Sequence, residues 1–145
     1  MPDEPESPTT SVLLIDGSKS HRAYWAEQLQ RCSPDYQIFE APDGQSGLAL
    51  FQSRRIDCVV LELGLPDRSG FEVLLTLVPN ARRPQIAVVV LTLMTQSGVW
   101  SLAKENGAYA CLVKEFTTGE DLDRAIQRAI AFVGKMPKED RYRPL

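Results

Sequence analysis

Asp16, Glu62, Thr92 and Lys114 each close a short apolar run, in V-L-L-I-D, V-V-L-E, V-V-V-L-T and L-V-K. Two carboxylates can hold a divalent cation, or with a hydroxyl and an ammonium can close an ion pair and hydrogen bonds among themselves. Neither is possible unless the fold brings residues spaced across the chain into one place. The runs that carry them are continuous and rich in β-branched residues, without polar alternation. That pattern belongs to strands of a parallel sheet covered on both faces. In such sheets, sites form beyond the carboxyl ends of the strands. The four residues are therefore expected to converge on one crevice.

The elements that must position them follow from periodicity and breakers. Strands are expected at Ser11–Asp16, Tyr36–Glu40, Cys58–Leu61, Gln85–Leu91 and Tyr109–Val113. Helices are expected between them, over Ser18–Cys32, from Pro42-Asp43-Gly44 to about Ser53, over Gly70–Val78, and over Thr95–Asn106. Gly107 suits the left-handed position that ends the fourth of these. A last helix follows the capping pattern Thr117-Thr118-Gly119-Glu120. It carries Leu122, Ala125/Ile126, Ala129/Ile130 and Val133 on one face. Strand and helix alternate five times, and right-handed crossovers favour a doubly wound α/β fold.

The bulk numbers bound the rest. A chain of 145 residues suits one domain, spanning residues 11–134. Residues 1–10 are acidic and Pro-rich and read as a disordered tail; residues 135–145 read as a loose C-terminal tail. The start has no basic, apolar signal-peptide pattern. A net charge of -3 gives no case for nucleic-acid or anionic-membrane binding. No apolar run approaches the roughly 18 residues of a membrane span. Cys32, Cys58 and Cys111 have neither zinc nor disulfide spacing, which fits a reducing cytoplasm.

The ordered motifs V-L-L-I-D, A-P-D-G, V-L-E-L-x-L-P-x-x-x-G-F-E, V-V-L-T and L-V-K-E-F resemble those of response-regulator receiver domains. The resemblance spans about residues 11–133. It implies a flavodoxin-like fold: a five-stranded parallel sheet, order 2-1-3-4-5, with five helices. It also implies a role in two-component or phosphorelay signal transduction. In that family an aspartate at the position of Glu62 accepts a phosphoryl group. Asp16 corresponds to one of an acidic pair that helps hold Mg²⁺, Thr92 to the hydroxyl that senses the phosphoryl oxygen, and Lys114 to the lysine that pairs with it.

Several positions depart from the family pattern. Gly17 stands where the second acidic residue belongs, and Glu62 where the phosphoacceptor aspartate does. Leu93 replaces a small residue and is expected to crowd the pocket. Cys111 replaces the switch aromatic. Glu115 replaces a proline whose preceding peptide is usually cis. Mg²⁺ favours near-octahedral oxygen ligands, so losing a carboxylate weakens its site. Glu62 also moves its oxygens by on the order of 1 Å, a misplacement worth roughly 100-fold in a reaction governed by positioning. Donor-dependent phosphorylation is expected to be weak or absent, with no cofactor needed. Any metal would fall to Asp16, Glu62 and the Gly64 carbonyl. A longer carboxylate can instead reach Lys114 and accept from Thr92, either imitating the active state or merely forming a structural ion pair.

Other candidates carry less. His21, the only histidine, falls on the inward phase of the first helix and reads as having no chemical role. Cys111 reads as a small packing residue. Trp100 lies one step off the buried phase set by Val99 and Leu102 or Ala103. It is expected partly exposed, near Tyr109 and the last helix. Receiver domains often bind partners through the face of helix four, strand five and helix five, so Trp100 and Tyr109 are the candidate partner surface.

The expectation is a single-domain, atypical receiver that is not an enzyme. It would act by phosphorylation-independent contact with a sensor kinase, a separate effector or a second copy. One alternative is a Mg²⁺-dependent phosphoacceptor using Glu62. Another is a small enzyme using the same crevice, which no nucleophile–base pair or phosphate-cradling glycine loop supports; the D-G-S-K-S loop lacks the dinucleotide fingerprint.

Overall fold

A computed structural model describes residues 9–138. The disorder expected at residues 1–8 and the loose tail expected at 139–145 lie outside the described residues. Thr9 and Thr10, placed with the tail by composition, are tied down. The Thr10 carbonyl accepts from Gln37 N at 2.9 Å, and the Thr9 carbonyl accepts from Arg55 Nη2 at 2.5 Å.

The strands are β1 (Ser11–Ile15), β2 (Gln37–Ala41), β3 (Cys58–Leu61), β4 (Ala87–Thr92) and β5 (Ala110–Val113). The helices are α1 (Lys19–Cys32), α2 (Gly44–Ser53), α3 (Gly70–Leu77), α4 (Ser97–Glu105) and α5 (Gly119–Gly134). The sheet is parallel throughout, in the order β2-β1-β3-β4-β5.

The apolar runs are continuous because consecutive side chains serve two separate cores. Leu13 and Ile15 of β1, Val59 and Leu61 of β3, and Val88 and Val90 of β4 face one way. They pack with Val73, Leu74 and Leu77 of α3 and Ala103 of α4. Val12, Leu14, Val60 and Val89 face the other way, against Trp25 and Leu29 of α1 and Leu122, Ile126, Ala129 and Val133 of α5. The two-residue period of a strand splits one hydrophobic run between both layers.

Local chemistry ends the elements. Gly107 adopts φ +106°, and a Cβ there would stand 3.0 Å from Val78 Cβ, so only glycine closes α4 this way. Gly70 starts α3 hard against the backbone after β3; a Cβ would lie 2.7 Å from the Glu62 carbonyl.

Some expectations need correction. The α5 capping box sits one residue later than the sequence pattern suggests. Thr118 caps the Asp121 N–H at 3.0 Å, and the Asp121 carboxylate caps the Thr118 N–H at 3.0 Å. Asp121 has the same chemistry as the glutamate of the usual pattern, so either register satisfies the eye and only geometry chooses. The fourth helix begins at Ser97 rather than Thr95, with no side-chain cap from Gln96. Leu102 is exposed while Ala103 takes the buried position.

Candidate functional site

Asp16 and Glu62 directly follow β1 and β3, Thr92 ends β4, and Lys114 directly follows β5. Parallel pairing in register brings these ends together. The Glu62 N–H donates to the Ile15 carbonyl at 2.9 Å, extending the β1–β3 ladder to the site. The Asp16 N–H donates to the Ala41 carbonyl at 3.1 Å.

The four side chains form one network. Lys114 Nζ lies 2.6 Å from Asp16 Oδ2 and 3.0 Å from Glu62 Oε1. Thr92 Oγ1 donates to Glu62 Oε2 at 2.6 Å. Two backbone groups complete the cradle: Leu93 N–H donates to Glu62 Oε1 at 3.2 Å, and Gly64 N–H to Glu62 Oε2 at 3.1 Å. Each Glu62 oxygen thus accepts from two donors. Asp16 Oδ1 accepts from the Ser18 N–H at 2.8 Å, and Arg22 Nη1 donates to the Asp16 carbonyl at 2.6 Å.

The network is closed to solvent. The side chains of Lys114, Asp16 and Glu62 are 6%, 12% and 7% exposed, and Thr92 is fully buried. Buried charges persist only when paired and hydrogen-bonded, and here they are. The loop between β3 and α3 is pinned from below. Asp67 accepts from the Gly44 and Gln45 N–H groups, each at 2.9 Å, at the start of α2. The Gly44 N–H is the main reason that the Asp67 carboxyl is held below the ordinary carboxylate range.

His21, expected to have no chemical role, belongs to the network: its Nδ1 lies 3.0 Å from Lys114 Nζ. The inward phase of α1 is a true signal, but it does not say what lies inward. A residue in the first turn after the Ser18 cap faces the strand ends rather than the apolar core.

One departure falls differently from expectation. Leu93 does not crowd the pocket: its side chain is 60% exposed and only its N–H enters the site. It instead flanks a crevice with His21, Tyr24, Trp25, Lys114 and Glu115. The peptide before Glu115 is trans, and Lys114–Phe116 forms a 3₁₀ turn. A Cβ at Gly17 would stand 3.0 Å from Pro66 Cδ, so the loop closes over this position. Cys111 is partly buried and packs on the α3/α4 side. Burial, then the Glu62 charge, pushes its thiol up to about 11.

Trp100 is partly exposed, and its Nε1 donates to the Met94 carbonyl at 3.4 Å, at the loop before α4. Tyr109 packs on Phe132 of α5, with ring centroids 5.6 Å apart. Among the described residues, no group of three or more His, Cys, Asp or Glu side chains is placed to hold a metal ion. No helix of the described residues is long and apolar enough to cross a membrane.

Residues 12–127 match the response regulator receiver domain family. The chain is 31% identical over 121 residues to the transcriptional regulatory protein PdtaR of Mycobacterium tuberculosis, covering 83% of this chain and 56% of PdtaR. It is 32% identical over 99 residues to the response regulator Rcp1 of Synechocystis, covering 63% of this chain and 67% of Rcp1. The solved chemotaxis response regulator CheY4 of Vibrio cholerae superposes with a TM-score of 0.72 at 28% identity, over 84% of this chain and 99% of that one. The chain spans about half the length of the regulators PdtaR and KdpE that it matches, 56% and 47% respectively.

Proposed function

The chain belongs to the response regulator receiver domain family, and on that premise we propose that it is a pseudo-receiver whose signalling surface is set without phosphorylation. Glu62 stands in the place of the phosphoacceptor aspartate. The observation that carries the reading is the saturation of its carboxylate. Thr92 Oγ1, the Leu93 and Gly64 N–H groups and Lys114 all already bond it. Thr92 and Lys114 correspond to the residues that would receive a phosphoryl group in the family. A carboxylate so held supplies one negative charge where a phosphoryl group would supply about two.

The same contacts speak against Mg²⁺. Asp16 and Glu62 both bond the Lys114 ammonium, which lies between the two carboxylates a cation would need. Gly17 adds no third carboxylate, and the Gly64 N–H points at Glu62. Mg²⁺ holds its waters tightly and needs near-ideal oxygen geometry, so this donor set does not fit it. Output then comes from protein–protein contact rather than catalysis, with a kinase, an effector or a second copy as partner. Trp100 and Tyr109 mark the face of α4, β5 and α5 through which that contact is made. Trp100→Ala is expected to weaken partner binding or self-association more than folding; equal loss of both would argue against this face.

Intact mass after incubation with acetyl phosphate and Mg²⁺ tests the reading. The wild type is expected to stay unmodified, and the Glu62→Asp/Gly17→Asp variant to gain a phosphoryl group. Pro66 must yield by a few tenths of an ångström to admit the Gly17→Asp side chain. A phosphoryl gain in the wild type that Glu62→Ala abolishes would overturn it.

A further inference from the structure

We infer that His21 is the third acceptor of the Lys114 ammonium and makes the locked site sensitive to protons. The inference rests on the reading of Glu62 as a standing partner of Lys114 and adds a regulation to that site.

An ammonium has three N–H donors. Lys114 Nζ has Asp16 Oδ2 at 2.6 Å, Glu62 Oε1 at 3.0 Å and His21 Nδ1 at 3.0 Å. With its side chain only 6% exposed, Lys114 has little access to water as a substitute acceptor. The imidazole therefore completes a tripod that two carboxylates leave unfinished. It can do so in one state only. Nδ1 accepts a hydrogen bond when the ring is neutral and its proton sits on Nε2. The imidazolium carries N–H on both nitrogens and brings a second positive charge to hydrogen-bonding distance of the ammonium. Imidazole is the side chain that makes this change in the physiological pH range.

The groups around the ring can be named. Lys114 and Glu115, from the turn after β5, share its crevice, as does Tyr24 from its own helix. Asp16 after β1 and Glu62 after β3 reach it through the ammonium. Arg22 is directed elsewhere, at the Asp16 carbonyl and Glu40. The carboxylates attract the imidazolium, but the atom it would touch is Nζ. Protonation thus removes one leg of the tripod and pushes on the other two. Glu62 sits on one of those legs, so the signal of acid passes to the residue that sets the surface.

Because His21 is the only histidine, its ring signals need no assignment among rivals. The test is a pH titration of the full chain by NMR, following the His21 ring nitrogens and the Lys114 ¹³Cε and ¹⁵Nζ shifts. The neutral ring is expected as the Nε2–H tautomer. The Lys114 shifts are expected to change with the same midpoint as His21. In His21→Asn, whose Oδ1 replaces Nδ1 as an acceptor that does not titrate, that Lys114 response should vanish. An Nδ1–H tautomer, or Lys114 signals that stay flat while His21 titrates, would overturn the inference. Should the variant not fold, the wild-type titration alone decides. Intact mass on the same sample after acetyl phosphate and Mg²⁺ separates the failures: a phosphoryl gain sinks the pseudo-receiver reading, whereas uncoupled titrations sink only the role of His21.

Discussion

The two sides of the strand-end surface are built on opposite terms. At its centre, Asp16, Glu62, Thr92 and Lys114 bury charge and polarity, and each is matched by a partner. Beside it, apolar groups stand open: Leu93 is 60% exposed, Met94 36% and Phe116 76%. A receiver that waits for a phosphoryl group and a cation needs an open polar site. Here the polar groups have satisfied one another and the apolar ones have not. Stability is therefore at risk in the centre, and little of it rests on the exposed flank.

That contrast breaks most visibly at Lys114. Lys114→Met leaves two buried carboxylates without their cation, and removing one partner of a buried pair costs about 3–5 kcal/mol. Urea unfolding should show this, and adding Glu62→Gln to the same chain should restore part of it. A loss under about 1 kcal/mol would mean that the cluster is better hydrated than its burial implies. Thr92→Val is expected to cost about 1–3 kcal/mol, since it deletes the hydroxyl that donates to Glu62 while keeping the shape. Stability equal to wild type would show that the N–H groups of Leu93 and Gly64 suffice.

Acid tests the outer supports of the site. Asp67 and Asp121 are held below the ordinary carboxylate range, chiefly by the backbone N–H groups of Gly44 and Thr118. Their folded values lie below their unfolded ones, so their support is complete above the unfolded value of about 3.9. It is lost as pH falls through the lower folded value. Asp67→Asn and Asp121→Asn should each flatten the acid limb of a stability-versus-pH curve. Least affected should be Phe116→Ala, with stability within about 0.5 kcal/mol of wild type, as at other exposed positions. Thermal unfolding that falls well outside this range would show that Phe116 packs rather than waits.

Much of the fold is legible in the order of the residues. Apolar runs mark β1, β3, β4 and β5, because a strand covered on both faces leaves little room for polar residues, whereas β2, Q-I-F-E-A at the sheet edge, shows only alternation. Boundaries shift by a residue or two where the local chemistry is ambiguous. Thr117 and Thr118 offer the same hydroxyl, and Glu120 and Asp121 offer similar carboxylates to it. Leu102 and Ala103 are both apolar and within one turn of Val99, and only the packed helix shows that Ala103 is buried and Leu102 exposed.

Within the site, the sequence by itself determined which residue types meet. Order along the chain and the rule that parallel strands end together placed Asp16, Glu62, Thr92 and Lys114 at one crevice. Only the tertiary structure decided how they divide their bonds. Leu93 enters through its backbone rather than its side chain, because chain direction at a strand end is not written in residue type. His21 reaches the ammonium because one helical turn aims it at the strand ends, and hydrophobic phase cannot tell that direction from the core. Periodicity records which face is turned inward; hydrogen-bond partners depend on distances of tenths of an ångström that packing alone sets.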